Sequence, residues 1–212
     1  MGKIIKGILG GFTGLVGTVV GSNWRGLDTM RSRPKKSNKP ATVLQLTQRM
    51  SFDIMVGFVG EIKDLIQVGF QSHTNGMTPY NAAMKANLLE GITGVYPSLS
   101  INYPEIVISK GGLRPLVGLG AASTVAGEAV FSWTNNAPVG HASATDKITI
   151  CVYCPTLNEF ATVENIALRT AASYEMSLPA SFSGEDCHAW CYFASANSKK
   201  VCDSKYVAIT VL

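Results

Sequence analysis

The sequence predicts a mixed α+β protein: a glycine-rich hairpin arm over residues 1–40, a helical hairpin over 41–93 and an antiparallel β-sandwich over 94–212. Three observations predict it. Glycines crowd the first 26 residues, apolar residues recur at three- and four-residue steps after Thr42, and the period changes to two from about Gly94. With 212 residues, 46% hydrophobic and 15% charged, and a mean hydropathy of +0.18, the chain can bury a core without disulfide staples. Wholesale disorder is excluded by the same figures.

The arm carries glycines at 7, 10, 11, 14, 17 and 21. On a helix they would form a small-residue face, but each costs about 1 kcal/mol relative to alanine. The extended reading is favoured: Thr18–Trp24 and Leu27–Arg33 form the arms of a hairpin about the turn Arg25-Gly26. The first dozen residues then pack on something else. The basic linker Arg33-Pro34-Lys35-Lys36-Ser37-Asn38-Lys39-Pro40 is bounded by prolines and cannot be helical at its ends.

Thr42-x-x-Gln45 matches a capping box, and Val43, Leu46, Met50, Ile54, Val56 and Phe58 set a helix running to about Ile66 or Phe70. Gly57 and Gly60 predict a kink or a close helix contact there. Beyond the loop Gln71–Gly76, Thr78-Pro79 supplies an N-cap with proline at the first helical position, starting a second helix to about Leu89. Short strand-like runs follow at Ile106–Ile108, Ala129–Trp133, Lys147–Tyr153, Tyr174–Leu178, Cys187–Phe193 and Tyr206–Val211. Their number and spacing suggest an all-β sandwich.

Charge is divided unevenly. Residues 1–50 hold nine Lys/Arg against Asp28, a charge of +8, whereas residues 51–212 hold nine Lys/Arg against thirteen acids, a charge of −4. A basic head on an acidic body favours head-to-body stacking, anionic partners or both; a merely solvated basic loop is the plainer alternative. Met1–Lys6 and the apolar stretch to Val20 outline a charged and a hydrophobic region. Their glycine content, the want of an Ala-x-Ala-like cleavage site and their length argue against a signal peptide or a membrane span. Lys6 breaks the myristoylation pattern. The expectation is cytoplasmic synthesis, with non-classical export or virion incorporation, and localisation is otherwise open.

Chemical constellations are absent. Cys151, Cys154, Cys187, Cys191 and Cys202 are an odd set, read as buried free thiols. A zinc site from Cys151-x-x-Cys154 and Cys187-His188-x-x-Cys191 is disfavoured, because residues three apart on a strand point to opposite faces. His73, His141 and His188 lack the spacing of a metal site or a triad. Ser181-Phe182-Ser183-Gly184 is no nucleophile elbow, and Gly118-Leu119-Gly120 is no phosphate loop. Glu185-Asp186 reads as a solvated turn. The chain is expected not to be an enzyme, with no catalytic residue, no metal and no cofactor.

The order Phe131-Ser132-Trp133, Ile148–Tyr153, Leu178–Gly184 and Ala189–Asn197 resembles a fibronectin type III domain, which implies an immunoglobulin-like sandwich. Cys187 stands roughly where that fold has its corner tyrosine. Over nearly the whole chain, Gly14-x-x-Gly17-x-Val19-Val20-Gly21-x-x-Trp24-Arg25-Gly26, Arg31-Ser32-x-Pro34, Pro40-x-Thr42-x-x-Gln45-x-x-Gln48-Arg49-x-x-Phe52 and Met77-Thr78-Pro79-Tyr80-Asn81 with Lys85-Ala86-Asn87 resemble a domain-of-unknown-function family of Bacteroidetes-type bacteria. That resemblance implies one complete protein in a bacterial or phage-like setting, and no activity.

The expected function is that of a structural protein assembling through its arm into a filament, tube or shell, as a bacterial appendage or virion component. Its partner is a second copy of itself or another structural subunit. The assembly residues are Gly14, Gly17, Val19, Val20, Gly21, Trp24, Arg25, Gly26, Arg31 and Arg33. A nucleic-acid binder is the alternative, less favoured, with Arg31, Arg33, Lys35, Lys36 and Lys39 as the anion-binding set. A carbohydrate-binding module is a further alternative, weakened because Trp133 and Trp190 alternate as core residues do.

Overall fold

The structure is a computed structural model that describes residues 2–4, 10–24, 26–36, 38–73 and 76–212, with the backbone alone for residues 3 and 4. It divides into two compact units, Met1–Thr42 and Val43–Leu212.

In the first unit, strands β1 (Lys3–Ile4), β2 (Phe12–Val16), β3 (Val19–Trp24) and β4 (Leu27–Ser32) form an antiparallel sheet in chain order. The expected hairpin is therefore its second half, extended by two earlier strands. Gly17 and Gly26 adopt φ of +59° and +85° in the two connecting turns, a region where an L side chain is strained.

The second unit begins with helices α1 (Val43–Glu61), α2 (Lys63–Gly69) and α3 (Pro79–Glu90). The helix break falls at Ile62 (φ −103°, ψ 27°), not at Gly57 or Gly60, where a side chain would meet open space. The buried stripe begins at Met55 and continues through Phe58, Val59, Ile62, Leu65 and Ile66 at helical spacing. Val43, expected on that stripe, is exposed. Thr78 caps α3 as expected, its hydroxyl accepting from Asn81 N–H at 3.2 Å with Pro79 at the first helical position.

A short hairpin follows, β5 (Ile92–Val95) with β6 (Ser98–Ile101). The remaining strands are β7 (Val117–Ala122), β8 (Glu128–Thr134), β9 (Lys147–Cys154), β10 (Glu159–Leu168), β11 (Ser173–Ser177), β12 (Asp186–Ala194) and β13 (Lys205–Thr210). They form two antiparallel sheets, ordered β11-β8-β7 and β10-β9-β12-β13. Seven strands in a three-plus-four arrangement, with strands crossing between sheets, are the immunoglobulin-like, fibronectin type III-like sandwich. Ile106–Ile108 is a correction: it is not a strand, although Ile106 and Ile108 are buried.

Helices and sandwich share one core. Phe58 of α1 packs edge-on against Tyr153, Phe160 and Trp190 of the four-stranded sheet, with ring centroids 5.2, 5.2 and 5.7 Å away. Between the sheets, Trp133 meets Phe193 at 6.0 Å. Trp133 and Trp190 are core residues, 4% and 0% exposed, and so unavailable to a sugar.

Candidate functional site

The arm is built by its hairpin register. Trp24 pairs with Leu27, Ser22 with Thr29 and Val20 with Arg31, so these six side chains share one face of the β3–β4 ladder. Asn23 with Asp28, and Gly21 with Met30, lie on the other. A hydroxyl contact of 2.8 Å joins Ser22 and Thr29 on the first face, and Asn23 Nδ2 donates to Asp28 Oδ1 at 2.6 Å on the second. The start of β2 crosses that second face. A Cβ on Gly21 would strike the carbonyl oxygen and ring of Phe12, and one on Gly11 would strike the Asp28 carboxylate. Glycine is what lets the chain cross there.

The first face keeps no such cover within its unit. Trp24 is 54% exposed and Leu27 70%, Met30 on the second face stays 73% exposed beside the crossing, and β4 is exposed at each of its positions. Among the described residues no strand pairs with β4 on its outer side, so that edge offers unpaired main-chain groups.

Of the remaining expected assembly residues, Gly14 pairs with Gly21 at φ +106°, Gly17 and Gly26 make turns, and Val19 and Val20 lie on opposite faces of β3. Arg25 lies outside the described residues. Arg31, Arg33, Lys35, Lys36 and Lys39 are exposed, and Arg33 is anchored by its N–H to Thr18 O at 2.7 Å. The structure brings Trp24, Leu27 and Arg31 onto one face and strings the later cations along the segment after β4.

In the body, His188 sits in an aromatic cluster. His188 stacks on Tyr103 at 3.9 Å, and its Nδ1 lies 2.7 Å from Tyr206 Oη. Burial lowers the His188 pKa, with the Asp186 charge opposing the shift; burial also raises those of Tyr103 and Tyr206. Such a pair lacks the nucleophile, orienting carboxylate and oxyanion donors that acyl transfer requires. The groove of about 600 Å³ beside Lys63, Gln67 and Tyr80 also lacks such a constellation.

The five cysteines are free and buried. Cys154 lies near Cys187, and Cys151 near Cys191. Burial pushes the Cys151 and Cys187 thiols up to about 12 and Cys202 to about 11, far from the thiolate that metals bind. Among the described residues, no three or more His, Cys, Asp or Glu gather as a metal-ligand set. No described helix is long and apolar enough to cross a membrane.

Sequence reading missed one polar group of consequence. Arg169 is fully buried, paired with Asp146 at 3.1 Å, donating to Asn136 Oδ1 at 2.6 Å and to Arg114 O at 3.2 Å, and lying 3.9 Å over the Phe193 ring. It ties the stretches around residues 114, 136 and 146 to the core. No local pattern signals it, because its partners come from two remote connections, the one before β7 and the one between β8 and β9.

A family model described as "Family of unknown function (DUF6266)" matches residues 11–208. Comparison with curated proteins finds no match. Among solved structures, the chain is similar to the fn3 domain of human collagen alpha-1(XX) chain, at 16% identity over 46% of this chain and 81% of that one, with a TM-score of 0.33. It is similar to the chicken CNTN1 FN1-FN3 domains at 11% identity, covering 49% and 33%, with a TM-score of 0.33. The fn3 domain of human contactin 1 matches at 8% identity, covering 47% and 78%, with a TM-score of 0.29.

Proposed function

From the premise that the chain belongs to the DUF6266 family, which hands down no activity, we propose that it is a non-enzymatic structural subunit that self-assembles through its N-terminal arm. The observation that carries this reading is the arm's exposed face and free edge: Trp24 and Leu27 stand in solvent beside a strand exposed along its whole length. Apolar surface and an open strand edge together are a template for a second chain. The family match begins at residue 11, so the arm is as much part of the family as the sandwich is.

Head-to-tail contacts of this kind, if they do not close, propagate into a filament or tube, and closure gives a ring or shell. The +8 head and −4 remainder favour contact between unlike ends of neighbouring copies. A bacterial appendage or a virion is the setting proposed. Negative-stain microscopy of the purified chain tests the reading: filaments, tubes or shells are expected, and single dispersed particles at every concentration would contradict it.

A second reading, nucleic-acid binding, draws on the exposure of Arg31, Arg33, Lys35 and Lys36 close to Trp24 in sequence. Cations and an aromatic ring are the elements of a single-strand site. Fluorescence anisotropy across a salt series separates the two. Assembly as the main role predicts weak, sequence-independent binding, whereas tight binding with a log–log salt slope of several units, at about −0.7 per phosphate on single strands, would favour this alternative.

A further inference from the structure

The assembly reading leaves open where the arm would dock. The sandwich has four outer strands: β7 and β11 on one sheet, β10 and β13 on the other. Strands β7 and β13 approach one another, which leaves that side of the sandwich closed. The opposite side, β10 and β11, has no strand laid against it among the described residues.

Its chemistry is unlike that of the arm. Strand β10 exposes Glu159 and Glu164, and around them stand Leu157, Ile166 and Leu168, 38%, 44% and 44% exposed. Strand β11 exposes Glu175 but contributes no large exposed apolar side chain. The arm presents the complementary set: Trp24 and Leu27 exposed, with Arg31 on the same face and Arg33 just beyond β4. Strand β4 is six residues long and its ladder carries no bulge. In β10 the register is regular from Glu159 to Val163 and breaks between Val163 and Ala167. The ladder with β9 resumes at Ala167, but the irregularity bends the strand, so the regular stretch sets the length of strand that can be added.

Resting on the assembly reading, we propose that the β4 edge of one copy adds to the β10 edge of a second copy, along Glu159–Val163. Laid antiparallel, β4 brings Arg31 and Arg33 to the Glu159 end of that stretch and Leu27, with Trp24 beside it, to the end that continues toward Ile166 and Leu168. Main-chain hydrogen bonds supply affinity, and the charges and apolar side chains choose this edge over β11. Each copy has one β4 and one β10, so the contact is heterologous and propagates.

Charge reversal tests it on the full-length chain by sedimentation velocity. Arg31→Glu with Arg33→Glu, and separately Glu159→Lys with Glu164→Lys, should each weaken association about tenfold, the effect of roughly 1.4 kcal/mol of lost and reversed charge contact. The four changes together should restore it, because every like-charge pair becomes an unlike one. Glu175→Lys should leave it unchanged. Association insensitive to the β10 reversals, unrescued by the fourfold variant or equally damaged by Glu175→Lys would overturn the docking site while leaving assembly standing. A wild-type chain that never associates would overturn the assembly reading itself.

Discussion

Asn87 and Val107 exchange two hydrogen bonds: the Val107 N–H donates to Asn87 Oδ1 at 2.7 Å, and Asn87 Nδ2 donates to the Val107 carbonyl at 2.9 Å. The same amide nitrogen reaches Ala83 O at 3.1 Å, one helical turn back. A buried side chain on α3 thus does for Val107 what a neighbouring strand would do, and it fixes the apolar run Ile106–Ile108 without a ladder.

Replacing Asn87 tests that role. Asn87→Ala leaves the half-buried Val107 donor and acceptor unpaired, and is expected to cost about 1–3 kcal/mol in urea unfolding. Asn87→Asp keeps the acceptor but sets a carboxylate against two carbonyl oxygens, and should cost at least as much. A loss under about 0.5 kcal/mol for both would show that the loop is held otherwise.

The Asp146–Arg169 pair predicts a sharper asymmetry. Arg169→Met strands a buried carboxylate and should lower stability by about 3–5 kcal/mol, whereas Arg169→Met with Asp146→Leu should recover much of that loss. Thermal or urea unfolding of the three chains decides it. If the double variant is no better than the single one, the hydrogen bonds to Asn136 and Arg114, and not the ion pair, carry the stability.

The sequence made the elements with local punctuation legible and hid those whose reasons are remote. Arg25-Gly26 announced the β3–β4 hairpin, and Thr78-Pro79 announced α3. Strand β7, Val-Gly-Leu-Gly-Ala-Ala, has one β-branched residue and reads as a loop; only its ladder with β8 makes it a strand. Strand β10 alternates polar and half-buried residues around a bulge, so its period is broken where it would be recognised. Ile106–Ile108 has strand composition but is claimed by the Asn87 amide. The helix broke at Ile62, since Gly57 and Gly60 face open space and nothing forces the chain to bend there. Within the candidate site the β3–β4 hairpin was legible, whereas the place of Leu27 beside Trp24 and the crossing of Phe12 over Gly21 came only from the structure.

His188 carries a pH signature. Burial depresses its pKa in the folded state, so near and below the ordinary value of about 6.5 the unfolded chain binds more protons. The contribution is complete above about pH 6.5 and is lost as the pH falls toward the depressed value. The groups facing it are Tyr103, Tyr206 and Asp186. His188→Gln should flatten this part of the stability profile between pH 7 and about 5; an unaltered slope would remove His188 as its source.

The thiols predict the opposite limb. Cys151 and Cys187 are raised to about 12 in the folded protein, so an unfolded chain releases their protons first. Their contribution is present below about pH 8.5 and declines as the pH rises toward the folded values. A disulfide-exchanging thiol reagent near pH 8 should titrate all five cysteines only after denaturation. Rapid reaction of several thiols in the native protein would contradict their burial.

Whether the exposed face of the arm holds copies together is measured by static light scattering of the intact chain beside its Trp24→Ser, Leu27→Ser variant. Both side chains are exposed in the single chain, so the variant should keep the fold of the parent. The parent is expected to scatter as particles many times the 22.6 kDa chain, growing with concentration, and the variant to remain near one chain mass. Equal masses for the two at every concentration would show that this face does not hold copies together.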